Sequence, residues 1–96
     1  MSKEDLQKER DERMSEMEHA YSRRQDEAEQ EKSDVKSQAA EKQSKGENID
    51  AEKNRYAELN AYQDKNFDDY KSDRAQVWDH YKSEIEKEED DKDPEK

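Results

Sequence analysis

The chain has 96 residues, room for one small domain at most. Only 25% of them are hydrophobic while 51% are charged, and the net charge is −11, a composition too poor in apolar surface for an ordinary globular core. The absence of cysteine excludes a disulfide framework, a thiolate metal site and a thiol nucleophile, while the excess of acid repels nucleic acid and anionic lipid and attracts basic surfaces.

Disorder is the competing reading of such a composition, but helix formers argue against it. Glu, Lys, Arg, Gln and Ala are abundant, with one Gly and one Pro in the whole chain. No alternating β-branched run and no Asn-Gly or Asp-Gly turn suggests a strand. The first thirty residues do not resemble a signal peptide, and no run approaches the roughly eighteen apolar residues a membrane span needs. An intracellular, soluble protein is expected.

A first helix is predicted over about 3–45. Ser2 with Asp5 three residues on resembles a capping box, although Glu or Gln is the usual partner. Leu6, Met14, Met17, Tyr21, Ala28, Val35 and Ala39 fall on one arc of this helix, with Met14, Tyr21, Ala28 and Val35 spaced by seven. Arg10, Arg24, Glu31 and Lys32 interrupt that stripe, so the helix is expected to fray and to need a partner. Next comes "EKQSKGENIDAEK". Gly46 directly after Lys45 fits a left-handed C-terminal cap, with cations in the last turn where the helix dipole favours them. Asn48 or Asp50 is placed to cap the following helix.

The second helix is predicted over about 50–86. Its stretch "FDDYKSDRAQVWDHY" (67–81) holds four of the seven aromatics and four aspartates in fifteen positions. At about 100° per residue, Ile49, Tyr56, Leu59, Phe67, Tyr70, Val77, Trp78, Tyr81 and Ile85 share an arc of roughly 100°. Glu52, Gln63 and Arg74 interrupt it and Tyr62 sits off it. Residues 87–96, "KEEDDKDPEK" from Lys87 on, read as a disordered acidic tail.

Folding back across a break at 46–49 gives an all-α, antiparallel hairpin of two long amphipathic helices. The expected register sets Val35 near Tyr56 and Leu59, Ala28 near Phe67, and Met17 near Val77 and Trp78. The core or dimer seam would consist of Met14, Met17, Tyr21, Val35, Tyr56, Leu59, Phe67, Tyr70, Val77, Trp78, Tyr81 and Ile85. One hairpin covers only one side of its seam, so dimerisation into a four-helix bundle is expected.

Residues for chemistry are missing. His19 and His80 have no second ligand at metal spacing, and Ser residues lack a nucleophile elbow. One glycine cannot make a phosphate loop. "DKNFDD" at 64–69 mimics the start of a calcium loop, but Asp69 and Ala75 stand where Gly and a bidentate Glu are needed. No enzyme, cofactor or metal is expected.

The acids are the remaining feature. Asp68, Asp69, Asp73, Asp79 and Glu86 lie broadly opposite the rings, flanked by Asp64 and Glu84; on the first helix Asp5, Glu9, Glu12, Glu16, Glu27, Asp34 and Glu41 share another arc. Residues 64–91 hold eleven acids and five bases, about one carboxylate per 4 Å of helix, against one phosphate per ~3.4 Å along a DNA strand. From "MSKEDLQKERDERMSEMEHAYSRRQDEAEQ" to "VWDHYKSEIEKEEDDKDPEK", the chain resembles the acidic DNA-mimic class that phages use against host DNA-binding proteins. In length and balance it most resembles a Bacillus-phage inhibitor of the bacterial histone-like protein HU. Such mimics share charge and shape rather than sequence, so the resemblance transfers no residue roles. It implies a helical acidic protein that occupies the DNA-binding groove of HU and displaces DNA, at the nucleoid in the host cytoplasm. The homodimer is expected from the one-sided seam, and no binding to nucleic acid or membrane is expected of so acidic a chain. The residue pattern assigns the contact to Asp64, Asp68, Asp69, Asp73, Asp79, Glu84 and Glu86, and secondarily to Glu9, Glu12, Glu16, Glu27 and Asp34. A hydrophilic helical scaffold or stress-protectant coiled-coil protein is the alternative, although neither clean heptads nor 11-residue repeats persist.

Overall fold

A computed structural model describes residues 2–91. Two helices, α1 (Lys3–Ser44) and α2 (Asp50–Asp91), account for all regular structure among them, an arrangement consistent with a helical hairpin. Both have 42 residues. The first helix is therefore continuous, despite the charges that interrupt its stripe.

Local chemistry sets the boundaries. The backbone N–H of Asp5 donates to Ser2 Oγ at 3.2 Å, so Ser2 caps α1. At the other end, Gly46 N–H bonds to the Gln43 carbonyl at 3.0 Å and Glu47 N–H to the Lys42 carbonyl at 2.9 Å. This pair of bonds is a Schellman motif, and Gly46 takes the left-handed conformation it requires, φ 76°. Asn48 rather than Asp50 opens α2: its Oδ1 accepts from the Asp50 N–H at 2.7 Å, an Asx turn. The chain thus turns over residues 45–49, one residue wider than expected.

The far end of α2 differs more. Residues 87–91, expected to belong to the disordered tail, are helical. Glu and Lys are good helix formers, nothing before Pro94 obstructs the helix, and Lys87 pairs with Glu84 at 3.4 Å while Lys3 reaches Glu89 at 2.5 Å. The rest of the expected tail, residues 92–96, lies outside the described residues. The segment 64–75 that mimics a calcium loop is helical throughout.

The chain forms two compact units: a turn unit, Tyr21–Asp68, and a terminal unit made of Met1–Ala20 with Asp69–Lys96. In each, α1 and α2 run antiparallel. The turn unit buries Ala28, Val35 and Leu59, with Tyr56 packed against them. The terminal unit buries Leu6, Ile85 and Tyr81, the last only 2% exposed, with Val77 against them. Val35 and Leu59 therefore meet as expected. Ala28 clusters with Leu59 instead of Phe67, which pairs with Tyr21 at a ring separation of 6.1 Å. Trp78 lies under Arg10, whose guanidinium carbon is 4.5 Å from the ring centroid, where Met17 was the expected neighbour.

Two aromatics assigned to the core or seam remain outside it in these units: Phe67 is 45% exposed and Trp78 48%. In the turn unit Leu59 and Asn66 enter the seam, about 80–100° round the helix from Phe67. In the terminal unit Val77 and Tyr81 enter it, about 60–100° from Trp78. The seam thus runs along one edge of the aromatic arc instead of its centre. Met14, Met17, Tyr21, Tyr56, Tyr70 and Val77 are half-buried.

Gly46 has open space around the place a Cβ would occupy, so its substitution costs only backbone strain. Gly46→Ala is expected to lower stability by about 1 kcal/mol without loss of helix content, read from thermal unfolding followed by circular dichroism.

Candidate partner-binding surfaces

With few apolar residues available, polar side chains complete the seam of the turn unit. Gln25 Nε2 donates to the Gln63 carbonyl and Gln63 Nε2 to the Gln25 carbonyl, both at 3.3 Å. Each amide reaches the other helix's backbone, which fixes their relative height more tightly than an aliphatic contact would. Asn66, 8% exposed, donates to Gln25 Oε1 at 3.2 Å. Lys32 Nζ donates to Gln63 Oε1 at 3.0 Å and lies 5.1 Å from the centroid of Tyr56. Near the turn, Lys42 forms an ion pair with Glu52, which is only 7% exposed.

Of the cations that interrupt the apolar stripes, Arg10 and Lys32 reach across the seam, whereas Arg24 and Arg74 are exposed. Arg10 covers Trp78, Arg13 lies 5.4 Å from the Tyr81 ring, and Arg55 grips Glu31 through contacts of 2.9 and 2.6 Å. The guanidinium–aromatic contacts favour an electron-rich ring face.

The acids separate into two groups. In the terminal unit Asp69, Asp73, Asp79, Glu86, Glu12 and Glu16 are exposed; in the turn unit Asp64, Asp68, Glu27 and Asp34 are exposed. Glu9 and Glu84 are half-buried and serve the fold. Glu9 accepts the Tyr81 hydroxyl at 2.7 Å and pairs with Arg13 at 3.4 Å, and Glu84 pairs with Lys87. Burial, and then this bond to Glu9, push the Tyr81 hydroxyl above its ordinary pKa. The periodicity that put Glu9 among the outward acids could not show that a tyrosine would reach it.

The sequence reading did not single out Asn66 or Gln25, and treated Glu52 and Gln63 as interruptions of a stripe. The available signal was their own position: Glu52, Gln63 and Asn66 recur at helical spacing with Tyr56 and Leu59, so a two-helix seam had to accommodate them. An exposed groove of about 290 Å³ lies beside this seam, with Ala28, Leu59 and Tyr62 in its lining and Arg24, Glu27 and Glu31 among the charged residues around it.

Among the described residues no group of three or more His, Cys, Asp or Glu could hold a metal ion. Among the same residues, no helix is long and apolar enough to cross a membrane. No protein family, curated protein or solved structure matches the chain.

The ammonium of Lys42 holds the Glu52 carboxyl below its ordinary pKa, and Glu52 in turn raises that of Lys42. A carboxyl with a lowered folded-state pKa adds stability above its unfolded value and loses it as the pH falls through the folded one. Glu52→Gln is therefore expected to melt below the wild type at neutral pH, with the gap closing on acidification through the carboxylate range. Melting temperatures of both proteins across a pH series would check this.

Proposed function

We propose that this chain is an acidic DNA mimic, phage-encoded, that binds the basic DNA-binding surface of the bacterial nucleoid protein HU and keeps DNA off it. It acts as a homodimer in the host cytoplasm at the nucleoid. It is a binding protein and not an enzyme. The reading is supported above all by the excess of exposed acid: Asp69, Asp73, Asp79 and Glu86 in the terminal unit, and Asp64 and Asp68 in the turn unit, are exposed, and residues 64–91 hold eleven acids against five bases.

The mechanism is electrostatic competition. A basic protein gains affinity for DNA by releasing counterions condensed on phosphates, roughly in proportion to the number of phosphates neutralised. Carboxylates fixed on a helix reproduce part of that gain: Asp69 and Asp73 stand one turn apart, about 6 Å along the axis. Long-range attraction between a chain of charge −11 and a cationic groove speeds encounter, and salt screens it. Glu9 and Glu84 are secondary in this scheme because the fold already uses them.

Increasing amounts of the protein should displace duplex DNA from purified HU in a gel shift, with less displacement as salt rises. Reversal of Asp68, Asp69, Asp73 and Asp79 together to Lys should abolish displacement while circular dichroism still reports helix. Undiminished competition by that variant would reject the assignment of the contact face. Failure of the wild type to displace DNA at low salt would leave the scaffold reading in its place.

A further inference from the structure

We draw no further inference here: the strongest candidate, the half-exposed Trp78 face of α2 between the grooves that run past Arg74 and past Lys82 in the terminal unit, carries none, because nothing in the structure shows what covers it.

Discussion

Apolar side chains are too few to line two 42-residue helices, and the seam has to be finished with whatever else the stripe contains. Small aliphatic clusters in each unit supply the hydrophobic part, Ala28, Val35 and Leu59 in one and Leu6, Tyr81 and Ile85 in the other. Fully burying a large apolar side chain stabilises by roughly 1.5–3 kcal/mol, so clusters of this size leave little margin against chain entropy. The amides of Gln25, Gln63 and Asn66 add bonds whose geometry is stricter than their energy is large, about 1 kcal/mol each. Their contribution is mainly to register.

That shortage also shapes the electrostatics. Lysine and arginine have long apolar stems and cationic heads that suit aromatic faces and carboxylates. Arg10, Arg13, Lys32, Lys42 and Arg55 are the residues recruited to the seam. Short aspartates have no comparable stem and remain outside. Most bases as well as most acids remain exposed, so the exterior is anionic because acids outnumber bases by thirty to nineteen.

Much of this could be read from the sequence because helical periodicity and capping chemistry are local. Ser2, Gly46 and Asn48 announce their caps within four residues, and the helix boundaries at Lys3, Ser44 and Asp50 follow from them. Burial is decided by the partner helix, and there the reading fails in informative ways. Phe67 and Trp78 are large and apolar yet sit at the edge of the arc, because the closest approach of the helices falls on Leu59 and Asn66 in one unit and on Val77 and Tyr81 in the other. Glu9 had the spacing of a solvent-facing acid, but the Tyr81 hydroxyl, 72 residues away in sequence, claims it. The acidic end of α2 is helical where its charge run suggests a tail, because Lys87 inside the run and Lys3 across from it offset part of the repulsion among its carboxylates.

Charge density sets how far one helix could go toward the proposed mimicry. Residues 64–91 carry a net charge of −6, from eleven acids and five bases, or about one unit per 7 Å of helix axis. A DNA duplex carries one per ~1.7 Å. A lone α2 therefore falls about fourfold short of the polyanion it would imitate. If the proposed homodimer set two such rows side by side, the shortfall would be about twofold. Because counterion release scales with the number of charges engaged, a second copy would strengthen the proposed mimicry where its own acids also reach the basic surface.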